Sequence, residues 1–161
     1  MQRLNISNPD FVVDEDDPPG YNRTGMYRMG KELGAEQTGA SLYELAPGNA
    51  LCPYHYEYGE EEWLLVVSGR PSVRDPDGTH ELTEQDVVFF PRGPKGAHQV
   101  RNDSDEPARV LMWSMVVHPA ATVYPDSDKV AIWTGNREDD RIVERSSGVD
   151  YWHGEPLPGD D

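Results

Sequence analysis

Pro53-Tyr54-His55-Tyr56-Glu57-Tyr58-Gly59-Glu60-Glu61-Glu62-Trp63 and, further along, Pro91-Arg92-Gly93-Pro94-Lys95-Gly96-Ala97-His98 are the two stretches on which the fold is read. In a β-strand, side chains at i and i+2 share a face. His55 and Glu57 therefore project together, and Tyr54, Tyr56 and Tyr58 project the other way. Two donors at that separation can meet one ion at ~2.0–2.2 Å. Gly59 permits a turn, after which Glu62 opens the next strand and swings back alongside. The second stretch is a Pro/Gly loop that delivers a histidine onto a strand.

The flanking texture is that of an antiparallel β protein. Ser41-Leu42-Tyr43-Glu44-Leu45 reads as a strand ended by Pro47-Gly48, and Trp63 to Val67 as a second ended by Ser68-Gly69. Asp75-Pro76-Asp77-Gly78 is a hairpin turn, with proline presetting φ and glycine taking the left-handed position. Val87 to Phe90 stops at Pro91, and Arg109 to Val117 is a long final strand. Short strands at this spacing, with no 3.6-residue period among them, indicate a sandwich or barrel. Residues 39–117 form this unit. Residues 1–38 read as an N-terminal arm, and 118–161 as a polar C-terminal tail that packs its few aromatics on the barrel or on a partner subunit.

These residues resemble the cupin family. Its first motif appears as Gly48, six residues, His55-x-Glu57, four residues, Glu62, six residues, Gly69. Its second appears as Pro91-x-Gly93, four residues, His98, three residues, Asn102. The resemblance covers residues 40 to 117. More narrowly, Gly59-Glu60-Glu61-Glu62-Trp63, the run from Gly93 to Asp103 and the stretch from Val149 to Glu155 are similar to short single-domain bacterial cupins that carry no assigned activity. The resemblance implies an all-β double-stranded β-helix, a jelly-roll barrel, holding one divalent metal ion on His55, Glu57, Glu62 and His98.

The chain departs from the family pattern at three points. Glu57 stands where a second histidine is usual, Gln85 where the second motif opens with glycine, and the loop before His98 is two residues longer. Two histidines and two carboxylates would give a divalent ion a neutral, oxygen-rich set of ligands. That favours Fe(II) or Mn(II), with Zn(II) or Ni(II) as alternatives, and lowers the Lewis acidity of the site. Glu57 has two other roles open to it: an acceptor behind the ligands, or a mark of a barrel that has lost its metal.

The remaining candidates have plainer readings. His80, His118 and His153 are ordinary histidines. The tyrosines at 54, 56 and 58 are outer-face packing, and Trp63 and Trp113 are core or interface aromatics. Cys52 shares its strand phase with Tyr54 rather than His55 and reads as a buried inert thiol. Asp14-Glu15-Asp16-Asp17 is a solvated acidic run without the glycine and terminal glutamate of a calcium loop.

Composition bounds the partners. With 161 residues the chain is one domain. Asp and Glu number 30 against 14 Lys and Arg, a formal charge of −16, which repels nucleic acid and anionic membranes. No helix-turn-helix or basic patch is present. Cys52 is the single cysteine, so no internal disulfide forms. The first residues lack a signal-peptide pattern, no apolar run approaches a membrane span, and a cytoplasmic protein is expected. The sequons at Asn5, Asn22 and Asn102 carry no weight without a secretory route.

Two functions fit. One is a metal-dependent enzyme of oxygenase, isomerase or lyase type acting on a small polar molecule; the other is a non-catalytic cupin that binds a small metabolite, with or without metal. A homodimer is expected, because Trp63 to Val67 and Val110 to Trp113 are apolar at both phases of the strand alternation and one phase needs a cover; the arm or tail of the same chain is the competing cover.

Overall fold

The computed structural model describes residues 1–21, 25–156 and 158–159, so the Asn22-Arg23-Thr24 sequon and small parts of the expected arm and tail lie outside it. The described residues form, in order, β1 (Gly25–Tyr27), α1 (Met29–Glu32), β2 (Thr38–Leu45), β3 (Tyr56–Glu57), β4 (Glu62–Ser68), β5 (Ser72–Asp75), β6 (Gly78–Glu81), β7 (Val87–Phe90), β8 (Gln99–Arg101), β9 (Ala108–Met115), β10 (Ala120–Tyr124), β11 (Lys129–Trp133) and β12 (Arg141–Glu144). Among them, no helix is long and apolar enough to cross a membrane.

One layer is an antiparallel sheet of order β1-β2-β9-β4-β7. Opposite it lie two smaller sheets, β12-β11-β10-β3 and β6-β5-β8. Isolated bridges at His55–His98 and Ala50–Arg101 stitch these two together along residues 50–57 and 98–101. The result is an all-β jelly-roll barrel.

Alternation in the strands explains the interior. Leu64 and Val66 of β4, Val110 and Met112 of β9, Phe90 of β7 and Val100 of β8 point inward and pack with Leu45, Leu51 and Val73. Each such side chain contributes ~1.5–3 kcal/mol by leaving water. Glu62 shares the inward phase of Leu64, so the first residue of β4 puts a carboxylate at the end of an otherwise apolar interior.

The stretch beyond residue 117, polar on average, is not structureless. β10, β11 and β12 form an antiparallel meander, and β10 pairs with β3 through Thr122–Glu57 and Val123–Tyr56. Arg109 to Val117 is therefore not the final strand. This cover also corrects the expectation for the tyrosines. Tyr54 and Tyr56 are buried with Ala97 and Val123, and Tyr58 alone is exposed. Arg74 lies 4.0 Å above the Tyr54 ring.

The outward face of the five-stranded sheet is aromatic. The Trp63 ring lies 4.7 Å from that of Phe89 and 6.0 Å from that of Trp113, the latter pair nearly parallel. Trp63 is 38% exposed and Phe89 41%.

Asn102 closes the barrel's end. Fully buried, it donates through Nδ2 to the carbonyls of Leu45 and Glu106, and its Oδ1 accepts from the Ser104 amide and hydroxyl. Its backbone pairs with Gly48 and Asn49. Asn102→Ala removes the side-chain donor to the buried Leu45 carbonyl and the acceptor for the Ser104 amide, and should destabilise the fold by ~1–3 kcal/mol. Urea denaturation would measure this, and a loss below ~1 kcal/mol would contradict the role.

Candidate metal centre

His55 and His98 meet because their backbones form a reciprocal antiparallel pair. The His55 amide donates to the His98 carbonyl at 3.0 Å, and the His98 amide to the His55 carbonyl at 2.8 Å. Directly opposed residues present their side chains on one face, and the two rings lie 4.7 Å apart. The loop before His98 depends on Gly96, where a Cβ would stand 1.7 Å from the Pro91 carbonyl oxygen. Phe90 stacks on the His98 ring at 3.7 Å and holds its plane.

Both imidazoles are oriented by backbone carbonyls. His55 Nδ1 lies 3.0 Å from the Pro53 oxygen, and His98 Nδ1 2.9 Å from the Gly96 oxygen. A carbonyl only accepts, so each Nδ1 carries hydrogen, each Nε2 is the atom turned toward Glu62, and the neutral His98 keeps a lone pair there. Glu62 arrives from the opposite sheet. Its Oε2 is 3.4 Å from His98 Nε2 and 3.7 Å from His55 Nε2. Donors each ~2.0–2.2 Å from one ion stand ~3.0–3.5 Å apart, close to these separations. His98 Nε2 is buried with no hydrogen-bond partner. An orphaned lone pair facing a carboxylate and a second imidazole fits a divalent cation.

The electrostatics favour a positive charge at this point. Burial opposes charge on His55, but Cys52 and Glu62 outweigh it and raise its pKa to about 11. Burial and the neighbouring His55 lower His98 to about 4, so it stays neutral. Burial likewise opposes ionised Glu62, yet His55 and His98 hold its pKa below the ordinary glutamate value. Cys52 Sγ is 3.6 Å from His55 Nδ1. Its expected phase, opposite to His55, does not hold, because the chain bends between residues 51 and 54 instead of running as a regular strand.

The structure brings three of the four expected ligands together. The donor atoms of His55, Glu62 and His98 lie within 4.8 Å of one another, and Glu57 is not in the group. Its Oε1 accepts from the Thr122 hydroxyl at 3.1 Å, and Thr122 in turn accepts from the Trp133 indole N–H at 2.8 Å. Glu57 Oε2 is buried without a hydrogen-bond partner. Burial, then the charges of Glu62 and Glu60, raise the Glu57 pKa to about 7. Glu60 is held behind it by Ser114 Oγ at 3.1 Å and the Val117 amide at 3.4 Å.

Thr122, Tyr124 and Trp133 were not among the residues expected at the site. The Tyr124 ring lies 6.1 Å from that of His55, and burial raises its pKa to about 12. A signal was present: Ala120–Tyr124 and Lys129–Trp133 flank Pro125-Asp126-Ser127-Asp128, which has the form of a hairpin turn. The high polarity of the surrounding segment obscured it.

Replacing Gly96 by alanine should push the Pro91–Ala97 loop outward and carry His98 with it. The expected result is a loss of ~1–3 kcal/mol in stability and divalent-metal binding weakened by at least tenfold. Isothermal titration with Mn(II) would show it; unchanged affinity would mean that the loop does not position the histidine.

Comparison with known proteins agrees with this architecture. No curated protein matches the chain in sequence. A solved structure from Silicibacter pomeroyi, described as a sugar phosphate isomerase of a cupin superfamily, superposes with a TM-score of 0.78 at 24% identity, over 99% of this chain and 98% of that one. A protein of Acidithiobacillus ferrooxidans, provisionally described as a sugar phosphate isomerase, gives 0.75 at 23% identity over 82% of each chain. The polyketide cyclase RemF of Streptomyces resistomycificus gives 0.58 at 22% identity, over 71% of this chain and 79% of that one. Residues 41–114, which contain His55, Glu62 and His98, match the cupin domain family, and this part of the chain is a cupin domain.

Proposed function

We propose that the protein is a metal-dependent enzyme of the isomerase type, acting on a small hydroxy-carbonyl compound such as a sugar phosphate. The observation that carries it is the juxtaposition of two kinds of group. His55, Glu62 and His98 converge as a candidate ion site, and beside them Glu57 is a half-buried carboxyl whose Oε2 is buried without a hydrogen-bond partner. His55, Glu62 and His98 would hold one divalent ion, Fe(II) or Mn(II) by preference and Zn(II) or Ni(II) as alternatives. When bound, that ion supplies positive charge to polarise a carbonyl. Glu57 would remove the proton from the hydroxyl-bearing carbon next to the carbonyl and return it to the former carbonyl carbon, while the hydroxyl proton passes to the former carbonyl oxygen, so that aldose and ketose interconvert with no net gain or loss. The descriptions of the Silicibacter and Acidithiobacillus proteins support the substrate class.

A second reading rests on the donor set itself. Two histidines and one carboxylate with open positions are the arrangement of non-haem Fe(II) oxygenases. The two are separated by incubating metal-loaded protein with aldose and ketose phosphates in D₂O while following O₂. Deuterium incorporation without O₂ uptake is expected, and Glu57→Gln should retain the metal and lose about 10²–10⁴-fold in exchange rate. O₂ uptake would establish the oxygenase instead. Neither activity would leave a non-catalytic binder.

We infer also that two copies associate through the outward face of the five-stranded sheet. No described segment of the chain covers Trp63, Val87, Phe89 and Met115, all of them exposed. The charges in the register of that face, Glu44 and Arg109, neutralise each other at 2.7 Å. In a chain of charge −16, this neutral face is where a second copy can approach without repulsion. Light scattering should give twice the 18.1 kDa chain mass, and Trp63→Glu should give a monomer. A wild type that stays monomeric at every concentration would refute the interface.

A further inference from the structure

We propose that Thr122 and Trp133 are positioning residues that keep Glu57 out of the ion's ligand set and leave it as a separate carboxyl beside it. This rests on the metal-site reading given above. The polarity of the hydrogen-bond chain follows from donor chemistry. An indole N–H only donates, so at 2.8 Å it occupies a lone pair of the Thr122 oxygen. The hydroxyl has one hydrogen, and that hydrogen is directed to Glu57 Oε1 at 3.1 Å. Glu57 Oε1 accepts that hydrogen, and Oε2 is left without a hydrogen-bond partner among the described residues.

Rigidity follows from placement. Thr122 is 2% exposed and sits directly across from Glu57 in the β3–β10 pair. Trp133 is two residues beyond Ala131, the β11 partner of Thr122. Three strands therefore meet at one carboxyl group. A carboxylate two residues from His55 on the same strand would otherwise be free to turn toward the ion, as the i, i+2 geometry invites. The Trp133–Thr122 chain prevents this by holding Oε1 on the β10 side.

Co(II) titration with visible absorption tests the proposal without any substrate. Wild type and Thr122→Ser, which keeps the hydroxyl, should bind Co(II) alike. Thr122→Val is nearly isosteric but cannot donate. It should release Glu57 to the ion, tighten Co(II) binding about tenfold and change the ligand-field bands. Thr122→Val/Glu57→Gln should return to the wild-type spectrum. Trp133→Phe, which leaves the Thr122 hydroxyl free to rotate, should fall between. The proposal is overturned if Thr122→Val titrates like wild type, or if Glu57→Gln alone weakens Co(II) as severely as Glu62→Gln. If no variant binds Co(II), the metal-site reading fails with it. Binding that is indifferent to Thr122 removes this proposal alone.

Discussion

The reciprocal backbone pair between His55 and His98 is the contact on which the site depends. It joins the β12-β11-β10-β3 sheet to the β6-β5-β8 sheet. Two amide–carbonyl bonds at this point do more than close a ladder: they bring together two imidazoles that are 43 residues apart in the chain. The same local backbone then directs the rings, because the Pro53 and Gly96 carbonyls, each two residues before its histidine, take the Nδ1 hydrogens. A site built from so few backbone groups tolerates little change in the loop before His98. The close approach of Gly96 to Pro91 expresses that intolerance.

Charge in the barrel is organised around the same point. Placing Glu57, Glu60 and Glu62 at one end of an apolar interior is costly, since burial and mutual repulsion both oppose their ionisation. The three are treated differently. Glu62 is held ionised by the imidazoles, and Glu60 is satisfied by Ser114 and Val117. Glu57 absorbs what is left as a raised proton affinity. Neighbouring carboxyls whose environments push their pKa values apart are suited to distinct tasks, one as ligand and one as proton carrier.

The C-terminal strands change what the barrel can do. β10 and β11 supply Thr122, Tyr124 and Trp133, and they bury Tyr54 and Tyr56 on the side of the strand away from the histidines. The site is therefore a joint product of the motif-bearing core and a segment whose composition alone suggests surface. Glu57, in the place where a histidine is usual in the family, has a partner in this segment.

Alternation and motif spacing determined the β class, the inward phase of Glu62 beside Leu64 and Val66, and the approach of His98 after its Pro/Gly loop. Those features are local, fixed by a period of two residues and by where glycine and proline interrupt it. The placement of Glu57 was not legible in the same way. The i, i+2 relation puts it on the His55 face, but its hydrogen-bond partner lies 65 residues further along the chain. Which strand comes to rest beside β3 is decided by packing over the whole barrel, which leaves no periodic trace near residue 57. For the same reason Tyr54 and Tyr56 read as outward and proved buried: a strand covered on both faces and a strand covered on one share the same alternation until the tertiary structure supplies the second cover.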